Sequence, residues 1–298
     1  MRFSVWPDQQ RPWAEIAVMA DHAEATGWDG IYVYDHFMPH DSDGEVLDGP
    51  VLEGWTTLTA VATRTSRLRL GTLVLGNLYR HPAVLANMAA TLDHVSGGRL
   101  LLGVGAGWQE NEHVAYGIDL PPPAPRLDQF EEACAVLTSL LRQPRTTFDG
   151  RYYRVTDAPC EPKPVQARLP LLIGGRGERR TIPAAARWAD EWNAWTTLDS
   201  FRHKAAVLDR ACEDLGRDPA EVRRSTQAVV DLRGGVGEAV DPDPHNLSGT
   251  PTEVVDILGA YGDAGLDEFI VPDDSDVPLP ERLEMLDRFR TEVVAHVR

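Results

Sequence analysis

The sequence predicts a single (β/α)8 barrel, an α/β fold in which parallel strands alternate with helices. Short apolar runs alternate with amphipathic stretches along nearly the whole chain, which is the pattern of repeated βα units. Eight such units follow one another within 298 residues, and no break between them marks a domain boundary. An open, doubly wound sheet is the alternative, but eight consecutive units favour closure into a barrel.

Each predicted strand is a short apolar run that ends at glycine or at polar residues. The fourth run follows the helix breaker Ser96-Gly97-Gly98, and its length and flanking glycines favour a buried strand. The predicted barrel strands are Phe3–Trp6, Gly30–Tyr34, Leu68–Leu75, Arg99–Val104, Leu169–Ile173, Glu191–Trp195, Val222–Leu232 and Glu268–Val271.

The segments between these strands space their apolar residues at helical intervals. Gly27 ends the first helix, and the hydroxyl group of Thr250 can cap the penultimate one. The predicted helices are Trp13–Thr26, Gly54–Thr65, Pro82–Val95, Leu127–Leu141, a helix containing Ala184–Trp188, Leu198–Leu215, Thr252–Gly262 and Pro280–Val297. The segment Gly234–Thr250, rich in glycine and aspartate, is predicted to be a mobile loop.

Regular alternation lapses between the fourth and fifth predicted strands. Pro121–Pro125 is a proline cluster that cannot form the interior of a helix. Thr146–Val155 is predicted to be a hairpin that turns at Asp149-Gly150. We therefore expect residues 109–165 to form an insertion on the barrel rim, within one domain that covers residues 1–298.

The charge balance excludes some classes of partner. The chain has 29 basic and 46 acidic side chains, and its net charge of −17 repels phosphate backbones and anionic membrane surfaces. No segment approaches the roughly 18 consecutive apolar residues of a membrane span. We therefore expect neither nucleic acid nor a membrane as partner.

Cysteine usage and the amino terminus predict a cytoplasmic protein. Cys134, Cys160 and Cys212 are odd in number and widely spaced, which is typical of a reduced intracellular chain. The residues before the first strand contain no stretch resembling a signal peptide.

In a barrel, functional residues gather where the strands end at their carboxyl termini. The second strand ends in Asp35-His36-Phe37, which places a carboxylate beside an imidazole that can exchange protons near neutrality. The alternative is structural: Asp35 would cap a loop and His36 would bond a backbone carbonyl group.

Glycines follow the third and fourth strands as well. Gly71 and Gly76 would let a flat ring approach the backbone, although a core strand followed by an ordinary turn explains them equally. Gly103-Val104-Gly105-Ala106-Gly107-Trp108 departs from the spacing of a dinucleotide fingerprint. Glu112 and His113 follow on a predicted helix, where adjacent residues point in different directions, so we predict no metal site.

The fifth strand continues as Gly174-Gly175-Arg176-Gly177, followed by further arginines and a helix. Successive exposed amides, a helix amino terminus and guanidinium groups together predict a phosphate site. A glycine turn with solvated arginines is the alternative.

Taken in order, these segments resemble the luciferase-like monooxygenase superfamily, and most closely its F420-dependent oxidoreductases. The stretches that carry the resemblance are Gly27-Trp28-Asp29-Gly30 through Asp35-His36-Phe37, Arg80-His81-Pro82 through Ala90-Thr91-Leu92-Asp93, Ser96-Gly97-Gly98-Arg99, and Gly103 through Trp108. The resemblance implies a bacterial-luciferase-like TIM barrel, a homodimer, and a deazaflavin, coenzyme F420, across the barrel mouth. It also implies hydride transfer between this cofactor and a small-molecule substrate.

The resemblance also implies roles for individual residues. His36 and Asp35 are the catalytic candidates, with Asp35 beside the ring and His36 as the proton handler. The Leu73–Val74 link matches a characteristic non-proline cis peptide bond behind the ring. The cofactor-binding candidates are Asp35, Leu73, Val74, Asn77, Gly105, Ala106, Gly107, Trp108, Gly174, Gly175, Arg176 and Gly177, the last four at the phosphate.

The sequence departs from the sugar-phosphate dehydrogenases of this superfamily at two places. His40 and Trp108 stand where those enzymes have a tryptophan and a glutamate, so glucose 6-phosphate is not expected as substrate. An aromatic pocket is expected instead, from Trp6, His40, Trp55, Trp108 and Trp195. Two alternatives remain open: a two-component monooxygenase that binds reduced flavin mononucleotide (FMN), and a non-catalytic flavin-binding protein.

Overall fold

The computed structural model describes residues 1–40, 45–232, 246–273 and 276–297. Its strands, in chain order, are β1 (Arg2–Trp6), β2 (Gly30–Val33), β3 (Arg69–Thr72), β4 (Leu75–Gly76), β5 (Leu100–Gly105), β6 (Thr146–Asp149), β7 (Arg154–Ala158), β8 (Leu171–Gly174), β9 (Glu191–Asn193), β10 (Arg223–Gln227), β11 (Val229–Asp231), β12 (Asn246–Ser248) and β13 (Glu268–Pro272).

The barrel wall is a closed parallel sheet, as the alternation of strands and helices predicts. Its strand order is β3-β2-β1-β13-β10-β9-β8-β5-β4, and a further pairing between β3 and β5 closes the ring. The first and last strands of the wall lie side by side, with Ser4 opposite Ile270 in parallel register. Since β3 and β4 are two parts of one predicted strand, the wall corresponds to the eight predicted strands.

The helices of the described residues surround this sheet. They are α1 (Trp13–Thr26), α2 (Gly54–Arg64), α3 (Pro82–Ser96), α4 (Glu110–Tyr116), α5 (Pro123–Arg142), α6 (Thr181–Trp188), α7 (Leu198–Asp214), α8 (Pro251–Asp263) and α9 (Leu279–Arg288), which continues as the π-helical turn Phe289–Val293. Thr250 caps α8 in a capping box with Glu253, as its position predicts. None of these helices combines the length and the apolar composition needed to cross a membrane.

Two predicted strands are interrupted in the structure. The third breaks at Leu73–Val74, between β3 and β4. The seventh divides into β10 and β11, and β11 leaves the wall to pair in parallel with β12. The prediction of one loop over 234–250 is therefore wrong for Asn246–Ser248, which forms a strand; the part up to residue 245 lies outside the described residues.

The rim insertion contains the predicted helix and hairpin with altered bounds. Helix α5 begins at Pro123, inside the proline cluster, because the first turn of a helix has no use for the missing N–H group of proline. Strands β6 and β7 pair antiparallel, with Phe148 opposite Val155, and this confirms the hairpin. Its second strand extends to Ala158, further than predicted.

The barrel interior is a small apolar cluster. It comprises Tyr32, Leu73, Leu101, Leu172 and Ile270, each at most 6% exposed, with Trp6 and Val74 packed against it. The larger core lies between the strands and the helices. The interior cluster fills the barrel between its two ends, so a ligand at the mouth would lie against packed side chains.

A charged network closes the amino end of the barrel. Arg69 bonds Glu191 and, at 3.2 Å, Glu268, while Arg2 reaches the same two carboxylates at 3.4 and 3.1 Å. Glu268 also accepts hydrogen bonds from Ser4 at 2.6 Å and from Tyr32 at 2.9 Å. Both glutamates are nearly fully buried, so their charges depend on these partners.

This network predicts a large cost for removing one cation. Arg69→Met leaves two buried carboxylates with Arg2 as their remaining ion-pair partner, and we expect the free energy of unfolding to fall by about 3 kcal/mol. Urea denaturation measures the loss. Arg67→Met is the matched control, because Arg67 is 68% exposed and contacts Glu24 at 3.7 Å. Equal effects of the two substitutions would contradict a structural role for the network.

Candidate active site

A cavity of about 290 Å³ opens at the carboxyl ends of the barrel strands. Its lining comes from the ends of β1 and β13, from residues that follow β1, β2, β5, β9 and β13, and from the start of β11. The lining residues are Trp6, Pro7, Asp8, Gln10, Tyr34, His36, Met38, Pro39, His40, Val51, Trp108, Gln109, Trp195, Val229, Pro272 and Asp273. This is where the barrel fold predicts the functional residues to gather.

Six aromatic rings form a continuous row along this cavity. The row, here called the aromatic arc, consists of Trp195, Trp6, Tyr34, His36, Trp108 and His40, in that order. Neighbouring ring centroids lie between 4.8 and 6.3 Å apart. The imidazole of His36 is in the middle of the arc, between Tyr34 and the 56% exposed ring of Trp108.

His36 is held by a buried carboxylate from the helix that follows β5. Its Nδ1 lies 2.7 Å from Oε1 of Glu112, and the backbone N–H of Phe37 donates to Oε2 at 2.8 Å. The hydroxyl group of Tyr79 also donates to Glu112. Glu112 is fully buried, whereas His36 is half-buried and lines the cavity.

These contacts set the protonation of Glu112 and the tautomer of His36. Burial by itself would raise the pKa of Glu112, but the hydrogen bonds from His36, Tyr79 and Phe37 bring that pKa below its ordinary value. An ionised carboxylate has no hydrogen to donate, so Nδ1 of His36 carries the hydrogen of this bond. Nε2 is then the nitrogen of the neutral ring that can accept a proton.

Asp35 lies next to His36 but has a different environment. Its buried carboxylate accepts two hydrogen bonds from Arg80, at 2.7 and 2.9 Å, and one from the backbone N–H of Gly76 at 2.9 Å. Arg80 also bonds Glu53, which caps α2. Asp35 is not among the cavity-lining residues. Its contacts join the end of β2 to β4 and to the start of α3, which makes it a positioning residue in this structure.

The predicted cis peptide bond is present between Leu73 and Val74. Leu73 is buried in the interior cluster, and the Val74 side chain lies among three glycines. A Cβ atom built on Gly103, Gly105 or Gly174 would come within 3.3, 2.7 or 2.8 Å of a Val74 methyl group. Gly105 and Gly174 are thus required by the Val74 side chain at the centre of the mouth.

The other candidates from the third and fourth strands lie close to Val74. The backbone N–H of Asn77 donates to the carbonyl oxygen of Gly105 at 2.9 Å, and the Asn77 side chain donates to Tyr153 at 3.3 Å. Ala106 is half-buried, and Gly107 has a φ of 87°, which favours glycine. Of these candidates, Trp108 alone lines the cavity.

The predicted phosphate segment, Gly174–Gly177, lies beside the cavity and does not line it. The N–H of Gly175 donates to the carbonyl oxygen of Asn193 at 2.8 Å. The prediction that this amide is exposed is therefore wrong. Arg176 and Arg179 are exposed and form no ion pair with the described residues, whereas Arg180 is paired with acidic side chains of α5. The positive charge expected here is therefore present.

Sequence reasoning found part of this site. Trp6, His40, Trp108 and Trp195 line the cavity as expected, but Trp55 packs against the main core, so its assignment to the pocket is wrong. Within the described ranges, no group of three or more histidine, cysteine, aspartate or glutamate side chains could hold a metal ion.

Glu112 is a candidate site residue that the sequence does not reveal. The sequence points to it only as a metal ligand, a role that we do not predict, and nothing in the polar stretch around Glu112 signals that its side chain is buried. Asp8 and Tyr34 were missed as well, because each follows or ends an ordinary apolar strand.

Comparison with known proteins identifies the family. The family model described as luciferase-like monooxygenase matches residues 1–242. The chain belongs to this family. Among the relatives of this luciferase-like protein, an uncharacterized protein of Mycobacterium tuberculosis is 34% identical and aligns with 82% of this chain and 90% of its own length.

Other relatives have a stated activity. An F420-dependent glucose-6-phosphate dehydrogenase of Kineococcus radiotolerans is 35% identical over 95% of this chain and 93% of its own. Among solved structures, the F420-dependent tetrahydromethanopterin reductase of Methanopyrus kandleri superposes with a TM-score of 0.82. The alignment covers 100% of this chain and 99% of the reductase, and at 18% identity it shows the shared fold.

The lowered pKa of Glu112 predicts a pH-dependent contribution to stability. A carboxyl group whose pKa is lower in the folded protein stabilises that state above its unfolded pKa, about 4.3, and the contribution disappears as the pH falls through the folded pKa. We therefore expect Glu112→Gln to destabilise the protein at pH 7, with a difference from wild type that narrows below about pH 4.

Urea unfolding at a series of pH values measures that difference. Glu110→Gln, at an exposed position of the same helix, is the control and is expected to follow the wild-type curve. A constant difference between Glu112→Gln and wild type at every pH would show that Glu112 contributes no charge-dependent stability.

Proposed function

We propose that this luciferase-like protein is an oxidoreductase that uses coenzyme F420 to transfer a hydride to or from a small organic substrate. The observation that carries the proposal is the hydrogen bond between His36 Nδ1 and Glu112, 2.7 Å long, beside a cavity at the barrel mouth. It leaves Nε2 of a fixed imidazole free to exchange a proton with a ligand. The F420-dependent relatives and the family membership support the same reaction class.

The residues at the mouth fit a flat anionic cofactor. Gly105 and Gly174 lack the Cβ atoms that would meet the Val74 methyl groups, so the two glycines let the half-buried Val74 side chain lie at the mouth. In this proposal that side chain is the surface against which a flat ring lies. Arg176 lies on the segment after β8 and has no ion-pair partner among the described residues, which suits a phosphate group.

In this proposal, Val74, Gly105, Ala106 and Gly107 hold the ring, and Gly174–Gly177 hold the phosphate group. Leu73 and Asn77 fix the position of this surface through the interior cluster and Gly105. When bound, the deazaflavin supplies the hydride chemistry, while the protein supplies orientation and proton exchange.

The protein's own residues have three tasks. His36 holds or releases a proton at Nε2, beside the reacting atoms. Glu112 orients the imidazole through Nδ1 and places a carboxylate beside the ring. Asp35 holds the second strand in place through Arg80 and Gly76 and thereby fixes the position of His36.

The family description favours one other function, that of a monooxygenase. The alternative already considered is a monooxygenase that binds reduced FMN, and both cofactors need a flat slot and a phosphate site, so affinity must distinguish them. We expect F420 to bind at least tenfold more tightly than reduced FMN, measured by anaerobic isothermal titration calorimetry with each cofactor in turn. Tighter binding of FMN would favour the monooxygenase, and the absence of turnover with any substrate or artificial acceptor would favour a flavin-binding protein.

The role of His36 predicts that binding and chemistry separate. We expect His36→Ala to bind F420 within a few-fold of wild type and to reduce kcat about a hundredfold or more, because general acid-base assistance is lost. His36→Asn retains a hydrogen-bond donor toward Glu112 but cannot titrate. It should therefore keep the hydrogen bond that His36→Ala loses, without recovering the pH dependence of kcat. Wild-type kcat in both variants, with chemistry shown to limit the rate, would make His36 structural.

The phosphate site predicts a charge effect that leaves the fold unchanged. Arg176→Ala should weaken F420 binding about tenfold, which corresponds to about 1.4 kcal/mol, and should leave the thermal unfolding temperature of the free protein unchanged. This substitution is cleaner than one at Gly175, whose φ of 132° and contact with Thr181 disfavour any side chain. Arg202→Ala, on the exposed face of α7, is the control. Equal affinities in the two variants would remove Arg176 from the site.

A further inference from the structure

We propose that the cavity beside His36 binds an organic cation, an apolar ring system with a positively charged nitrogen, and excludes phosphorylated substrates. This inference rests on the proposed function only in taking the cavity as the substrate end of the site. It is carried by three observations on the described residues: the charges of the lining, the aromatic arc, and a buried acceptor without a partner.

The first observation is that the cavity lining has carboxylates and no permanent cation. No lysine or arginine is among the described residues that line it, whereas Asp8 and Asp273 are. The charge of Asp273 is balanced from behind the cavity by Arg11 and by Arg282, which lies 2.9 Å away. Asp8 forms no ion pair with any residue that the structure describes.

Asp8 is fixed in place by neutral donors. Its Oδ1 accepts hydrogen bonds from the hydroxyl group of Tyr34 at 2.7 Å and from the backbone N–H of Gln10 at 2.9 Å. Its Oδ2 has a longer contact with the Gln10 side chain, at 3.3 Å. Burial and the charge of Asp8 raise the pKa of Tyr34, so the phenol stays protonated and donates. The carboxylate is therefore held in the cavity wall without a cation to neutralise it.

The second observation is the aromatic arc next to this carboxylate. Trp6 lies 6.3 Å from Tyr34 and 5.9 Å from Trp195, measured between ring centroids, and all three rings line the cavity with Asp8. Faces of tryptophan and tyrosine attract organic cations, by about 0.5–1 kcal/mol per contact and more when water is excluded. Several aromatic rings beside one carboxylate are the arrangement that recognises substituted ammonium groups.

The third observation concerns Gln109, which lines the cavity and is 2% exposed. Its side-chain nitrogen donates to the carbonyl oxygen of Met38 at 3.1 Å, and this bond fixes the amide orientation. Its oxygen Oε1 is buried and has no hydrogen-bond partner in the described chain. Such an acceptor suits a ligand group that donates hydrogen bonds, such as a protonated amine, and a phosphate dianion, which only accepts, cannot satisfy it.

The distribution of positive charge explains why a phosphorylated substrate is excluded. Arg176 and Arg179 carry unpaired charge on the segment after β8, which does not line the cavity. The anion-binding part of the mouth is thus separate from the cavity, where a phosphate group would meet Asp8. The net charge of −17 adds to this repulsion.

The volume limits the size of the ligand. A cavity of roughly 150 Å³ can hold benzene, and this one measures about 290 Å³. It therefore has room for a molecule of one or two rings.

The experiment compares three probes of equal size and different charge. We choose protonated 1-naphthylmethylamine, whose ammonium group can donate hydrogen bonds, its neutral isostere 1-ethylnaphthalene, and the naphthyl phosphate anion. Binding of each is measured by calorimetry on the protein with and without saturating F420. We expect the cation to bind at least tenfold more tightly than the neutral probe, and the phosphate to compete with F420 or not to bind.

Asp8→Asn then tests the source of the preference. We expect it to weaken cation binding at least tenfold and to change binding of the neutral probe less than twofold. Asp119→Asn removes the same charge at an exposed position outside the cavity and is expected to change neither. Two results on the wild-type protein alone would overturn the inference. One is equal affinity for the cation and the neutral probe, and the other is that the phosphate binds in the cavity more tightly than either.

The two proposals fail separately in this design. Cation binding that depends on Asp8 in a protein that does not bind F420 would support this inference and contradict the proposed cofactor. F420 binding in a protein that does not prefer the cation would leave the cofactor in place and overturn the proposed substrate class.

Discussion

The hydrogen bond between the buried carboxylate of Glu112 and Nδ1 of His36 is the contact on which the site depends. Glu112 belongs to the helix that follows β5, and His36 follows β2, so this one carboxylate joins two parts of the rim. It also accepts bonds from the Phe37 backbone and from Tyr79, whose aromatic rings are in contact, with centroids 4.9 Å apart. The Glu112 carboxylate therefore fixes the orientation of the imidazole and the path of the loop after His36, and it is also the charge beside the ring.

Local patterns in the sequence predict the fold well and the site only in part. The lengths of the apolar runs and the positions of glycines mark the barrel strands. Both can be read from the sequence because they depend on a few neighbouring residues. His36 and the arginines after β8 are found because each stands at the end of a recognisable strand. Glu112 is not found, because 76 positions separate it from His36 and its burial follows from the closed barrel. The assignment of Trp55 to the pocket is wrong for the same reason. An aromatic side chain suits a pocket, but the position of Trp55 on α2 turns it toward the core.

Val74 shows how side chains and their absence together shape the mouth. Its methyl groups occupy the space that Cβ atoms of Gly105 and Gly174 would need, whereas a Cβ atom on Gly103 would lie 1.9 Å from the carbonyl oxygen of Thr72. Two glycines on two neighbouring wall strands are therefore explained by one side chain. The sequence shows these glycines as separate turns, and only the three-dimensional arrangement relates them to each other.

The charged network at the amino end gives the barrel a single open side. Arg2, Arg69, Glu191 and Glu268 fill that end, and the interior cluster with Leu101 lies above them. A molecule that reaches His36 must therefore enter and leave at the carboxyl end of the barrel strands. A cofactor and a substrate bound at this mouth would therefore have to share one entrance.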